Sequence, residues 1–144
     1  MTARLLTVAL LATLTVACGD DSPTSPTDTT TTTSSGTTVT YTGTLDVGGS
    51  RFYSFTNAAA GSVTAFLASV TATTDNRVPL AVPLQLGVGI PAGTDCATTT
   101  TQVVGSGLVS QLSVSLAAGV FCLRVADAGQ LKAPVSFAVR FTHP

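Results

Sequence analysis

The sequence predicts an all-β protein, an antiparallel, jelly-roll-like β-sandwich of seven or eight strands, and three observations carry that expectation. Large apolar residues recur at every second position in short runs, as in Val135, Phe137, Val139 and Phe141, which is the period of a strand with one buried face. Turn signals such as Gly48-Gly49, Gly119 and Asp127 to Gly129 separate these runs. No stretch of helical period competes with them. The chain of 144 residues suits one domain.

The first seventeen residues stand apart from that pattern. Arg4 is followed by an apolar run from Leu5 to Ala17, a charged start and a hydrophobic stretch ending in small residues, as in an export signal. The run is shorter than the ~20 residues a membrane-spanning helix needs. Residues 1–17 are therefore expected to direct export. Beyond Cys18, the stretch Gly19 to Gly36 reads GDDSPTSPTDTTTTTSSG, with no aliphatic or aromatic side chain to offset the entropy of ordering it. Residues 18–36 are expected to form a flexible spacer, and residues 37–144 the folded domain.

Leu14-Thr15-Val16-Ala17-Cys18 resembles the lipobox of bacterial lipoproteins. The resemblance implies a thiol modified with diacylglycerol, cleavage just before Cys18, and acylation of the new amine with a fatty acid such as palmitate. Several acyl chains on one residue make a stable anchor, because each buried CH₂ contributes ~0.8 kcal/mol. Thr15 departs from the aliphatic residue usual at that position. Gly19, where an Asp would favour inner-membrane retention in that family, points toward the outer membrane or cell surface.

Within the domain, Val39, Tyr41, Leu45 and Val47 share one parity and predict a first strand, with Gly43 marking a bulge or a close approach. Arg51 to Thr56 predicts a second strand with Tyr53 and Phe55 inward. Val63 to Leu67 predicts a third, in which Phe66 has the opposite parity to Val63 and Leu67. Asp75-Asn76 reads as a loop. Val82, Leu84, Leu86, Val88 and Ile90 give the clearest internal strand, and Pro83 suits its edge or end. Pro91 to Thr101 reads as a Gly/Thr/Asp-rich loop holding Cys96, and Val103-Val104 as a short segment of uncertain pairing. Leu112 to Leu116 and Phe121 to Val125 read as two strands of a hairpin turning at Gly119. The last strand carries the Val135 to Phe141 alternation.

Gly43-x-Leu45, Gly49-x-x-x-Tyr53-x-Phe55-Thr56, Gly61-x-Val63, Leu84-x-Leu86 and Leu116-x-x-Gly119-x-Phe121-Cys122-Leu123-Arg124-Val125 together resemble the bacterial pre-peptidase C-terminal domain, over about Thr37 to Thr142. The resemblance implies a jelly-roll-like sandwich, non-catalytic, serving attachment, secretion or stabilisation of exported proteins. Arg51 and Ala81-Val82 stand where that family has acidic residues that help some members hold Ca²⁺, so no calcium site or other cofactor is expected.

Cys96 and Cys122 remain once Cys18 is assigned to lipid. In an exported chain they are expected to form a disulfide that clamps the 91–101 loop onto the outer face of a sheet. A structural zinc lacks ligands, since His143 is the only histidine, and a thiol nucleophile lacks a base. Free thiols are the remaining alternative. The domain has no Glu and only Asp46, Asp75, Asp95 and Asp127 as side-chain carboxylates, a poor basis for paired acid/base chemistry. A formal net charge of −1 gives no basic footprint for nucleic acid. The expectation is a non-enzymatic envelope lipoprotein, attached to a membrane through Cys18, whose sandwich binds envelope polysaccharide or protein. The polar loop residues Thr98, Thr99, Thr100 and Thr101 are the candidate contacts. A structural or assembly accessory that stabilises an envelope partner is the alternative, and an enzyme of unrecognised type a more distant one.

Overall fold

In a computed structural model of the chain, residues 36–75 and 78–144 are described. The expected export signal, Cys18, and the spacer up to residue 35 lie outside the described residues, as does Asn76. Eight strands form: β1 (Thr37–Leu45), β2 (Ser50–Asn57), β3 (Gly61–Ala72), β4 (Leu84–Ala92), β5 (Asp95–Val104), β6 (Leu112–Leu116), β7 (Gly119–Asp127) and β8 (Val135–His143). They make two antiparallel four-stranded sheets, ordered β1-β8-β3-β6 and β2-β7-β4-β5. Every connection except β4–β5 passes from one sheet to the other, the winding of a jelly roll. The strands, core and disulfide of the described residues all lie within residues 36–144.

The core lies between the sheets and follows the period-two pattern. Val63, Ala65, Leu67 and Val70 of β3 and Val135, Phe137, Val139 and Phe141 of β8 face Phe55, Leu84, Leu86, Val88, Leu123 and Val125 from the other sheet. Each such large side chain contributes ~1.5–3 kcal/mol when fully buried. The odd step in β3 comes from a register shift between Leu67 and Ser69 opposite β8, which lets both Leu67 and Val70 point inward. Phe66 does face the other way, under the Arg140 guanidinium.

Several sequence expectations are corrected. The Leu112–Val125 stretch is not a hairpin: β6 pairs with β3 and β7 with β2 and β4, so the Ala117-Ala118 turn carries the chain between sheets. Period-two patterning states which side faces the core and leaves the neighbouring strand open. Residues 91–101 are not a loop. They form the end of β4, a tight turn and most of β5, and β4–β5 is the molecule's one hairpin among the described residues. Gly93, with φ of 62°, permits its turn. Val47 lies beyond β1 and is exposed, and Ile90 is exposed because β4 there has passed its last pairing with β7, at Gly89. Gly43 is a close approach and no bulge: β1 pairs with β8 without a break, and a Cβ at Gly43 would sit 2.8 Å from the Tyr53 hydroxyl. That hydroxyl donates to the Thr42 carbonyl at 3.0 Å, and the Tyr53 ring stacks on Tyr41.

Two polar side chains tie the connections at the two ends. At the near end, where residue 36 leads into β1, the buried Asn57 amide donates to the carbonyls of Ala59 at 2.7 Å and Ala117 at 2.9 Å. One side chain thus joins the β2–β3 and β6–β7 crossovers. At the far end, the Asp127 carboxylate accepts from the backbone N–H of Gly48 through Oδ2 at 2.8 Å, and from Gly129, Gln130 and Leu131 through Oδ1. These donors, Gly48 foremost, hold its carboxyl below the ordinary carboxylate range.

Candidate functional site

The site begins with two glycines. On β4 the residues facing away from the core are Gln85, Gly87 and Gly89, opposite Ala126, Arg124 and Cys122 of β7. Both glycines are buried although they face outward. A Cβ at Gly87 would stand 2.7 Å from the Thr98 methyl, and one at Gly89 would collide with the Ala97 carbonyl. The first half of β5 therefore leans over the outer face of β4, and Thr99, the extra residue at the β5 register shift, accommodates the bend.

The curl brings Cys96 across β4 to Cys122, and the two form the expected disulfide, with Cα atoms 5.9 Å apart. Cys122 does face away from the core, yet it is fully buried beneath the hairpin. The bond fixes the tip of the hairpin above the sheet. It also places the chain in an oxidising compartment outside the cytoplasm, so the protein is exported.

Next to the disulfide, Arg124 lies between its cross-strand neighbours Phe52 of β2 and Gly87 of β4. Its Nε stands 3.6 Å from Asp95 Oδ1 at the hairpin tip. Oδ1 also accepts the Cys96 N–H at 2.8 Å. Arg124 Nε is shielded from solvent and makes no hydrogen bond at that distance, whereas the Asp95 side chain is 63% exposed. The pair is a loose one, and its carboxylate remains open to solvent.

A cleft of about 460 Å³ opens between the hairpin tip, Thr94 and Asp95, and the start of β2, Ser50, Arg51 and Phe52. Two hydroxyls, one carboxylate and an aromatic ring meet there. Arg51 also lines the cleft, with its Nε donating to the Thr44 carbonyl at 3.1 Å. The arrangement can accept and donate hydrogen bonds to a polar ligand and offer one apolar surface. It has a single carboxylate, and among the described residues no cluster of three metal-ligating side chains forms.

The four threonines take different places from those expected. Thr98 and Thr101 cover Gly87 with their methyl groups, and Thr99 Oγ1 donates to the Val88 carbonyl at 3.3 Å. Thr98 to Thr101 thus form part of an edge strand, and the cleft lies at the other end of β5. His143, at the end of β8, is paired with Thr37 of β1 and packs against the Phe55 and Phe141 rings. Phe52, Thr94, Asp95 and Arg124 were not singled out as one site from sequence. The alternate glycines of β4 are the signal that could have found them, since two missing side chains on an outer face mark where another backbone passes.

No family model matches the chain, and no curated protein does. Among solved structures, the crystal structure of Yersinia pseudotuberculosis-derived mitogen is similar at 12% identity and a TM-score of 0.47, over 76% of this chain and 87% of that one.

Proposed function

We propose that this protein is a lipid-anchored component of the bacterial envelope, held at the outer membrane or cell surface through Cys18, whose jelly-roll domain binds an envelope polysaccharide or protein without transforming it. The observation that carries the reading is the cleft under the pinned hairpin. A covalent bond holds Thr94 and Asp95 opposite Phe52, so the binding groups are ordered before any ligand arrives. The charged residues that line it, Arg51 and Asp95, are opposite in sign, and contact through hydrogen bonds and one ring predicts little dependence on salt. The resemblance to the pre-peptidase C-terminal domain supports the same class of role.

The test is retention of the domain, residues 36–144, on peptidoglycan, envelope polysaccharide and envelope protein extract at low and high salt. One fraction should retain it at both, and both Phe52→Ala and Asp95→Ala should release it. Retention by none of them, or catalytic turnover abolished by replacing one of the four Asp residues, overturns the reading. Anchoring is tested separately by the intact mass of membrane-extracted protein, which should start at an acylated Cys18.

The accessory reading draws support from another feature. The 105–111 connection is braced on β3, with Gly107 N–H donating to Leu67 O at 2.8 Å and Gln111 Oε1 accepting the Leu67 N–H at 2.9 Å. Its apex holds Leu108 and Val109 out, 87% and 73% exposed. Two adjacent aliphatics on an ordered loop suit a protein partner. Loss of a co-purifying envelope protein from Leu108→Ser, with polymer binding intact, would favour that role.

A further inference from the structure

The far end of the sandwich holds a second cavity, of about 370 Å³, which shares no residue with the cleft. Its floor and walls are apolar: Leu80, Val82, Leu131, Pro134 and Val135, with Ala72 at the end of β3. Leu131 and Val135 belong to the core, and Leu80 and Val82 are only partly buried against it. The floor of this opening is therefore formed by the edge of the core itself.

Both walls are held apart. On one side, Asp127 accepts the N–H groups of Gly129, Gln130 and Leu131. On the other, Leu80 N–H donates to Val70 O at 2.8 Å, and Thr71 forms a bridge with Pro79. Bracing of this kind keeps the side chains from closing over the space, so the cavity is formed in advance of any ligand. Polar groups enter at its rim, from Thr73, Thr74, Gln130 and Lys132. Lys132 is the only lysine of the chain, is exposed, and makes no ion pair among the described residues. The nearby Asp127 carboxylate is engaged by four backbone donors.

A braced apolar cavity with one cation at its mouth is the complement of a hydrocarbon chain ending in one negative charge. We infer that this cavity binds a single-chain carboxylate amphiphile, its hydrocarbon between Leu80, Val82 and Leu131 and its headgroup on Lys132. The ammonium supplies a point charge with three donors, and Thr73 and Gln130 can complete the carboxylate's hydrogen bonds. The volume lies at the lower end of the range of small-molecule sites, which favours a short or medium chain over a two-chain lipid.

Calorimetric titration of the 36–144 domain with decanoate, decanol and decyltrimethylammonium tests this. Decanoate should bind at one site per chain, decanol about tenfold more weakly, and the cation not measurably. Lys132→Gln should bring decanoate down to the affinity of decanol and leave decanol unchanged. Ala72→Leu, placed to fill the cavity, should weaken both ligands, with a thermal melt confirming that the variant folds. If Ala72→Leu does not fold, Val82→Met takes its place. Absence of decanoate binding, or binding that neither substitution changes, overturns the inference. Either result leaves the cleft under the hairpin untouched.

Discussion

Asn57 holds the molecule together in a way no hydrophobic residue could. It is 1% exposed, and its amide nitrogen joins two crossovers that lie far apart in sequence. Asn57→Ala would leave both carbonyls without that donor and open a small void, at a cost of ~2–3 kcal/mol. A drop in the denaturation midpoint without a change in m-value would show it. Asn57→Asp should cost at least as much, since it substitutes an acceptor for the donor. Gly89 is the second residue of this kind. Gly89→Ala would drive a methyl into the Ala97 carbonyl, lift β5 off the sheet and separate Cys96 from Cys122. Thiol labelling of the folded variant should rise from none to a substantial fraction. Unchanged labelling would mean that β5 does not lie where the glycine requires it.

At the scale of elements, the disulfide and Asp127 govern different parts of the structure. The disulfide closes a 26-residue separation and should contribute ~3–4 kcal/mol by loop entropy. Asp127 ties the β1–β2 and β7–β8 connections to each other. Because the folded protein lowers its pKa, its stabilisation is present in full above the ordinary carboxylate value of 3.8 and is lost as pH falls through the lower folded value. Asp127→Ala should therefore lower the melting temperature at neutral pH and flatten its decline below pH ~4. An equally steep acid decline in the variant would assign that loss to another carboxylate.

The elements legible in the sequence are those that bury one face. β1, β2, β4, β6, β7 and β8 alternate larger apolar residues with small or polar ones, and the alternation locates them; in β3 it locates only Val63 to Leu67. β5 is hidden because its DCATTTTQVV carries threonine on both faces. It becomes a strand through pairing with β4 and through the space that Gly87 and Gly89 leave. The cleft was illegible for the same reason: its groups come from the start of β2 and the hairpin tip, and only the curl of β5 brings them together. The disulfide was legible because few partners existed for either cysteine.

At the scale of the whole molecule, the strand order gives the sandwich two unlike ends. β1 starts at the near end, with Thr37 opposite His143, and stops at the far end, with Leu45 opposite Val135. All nine of its residues pair with β8. That feature has a mechanical consequence. A pull on residue 36, resisted at the far end, runs along the strand and loads the whole β1–β8 ladder in shear, so its rungs must fail together. A pull on both termini opens the same ladder from Thr37 and His143, one rung after another. Single-molecule stretching between residue 36 and a handle at Gly129 should thus need several times the rupture force measured between the termini, and equal forces would count against it. A domain gripped at its far end by a partner would be strong in the direction in which a chain held at residue 36 is pulled, and weaker when the load runs between residues 36 and 144.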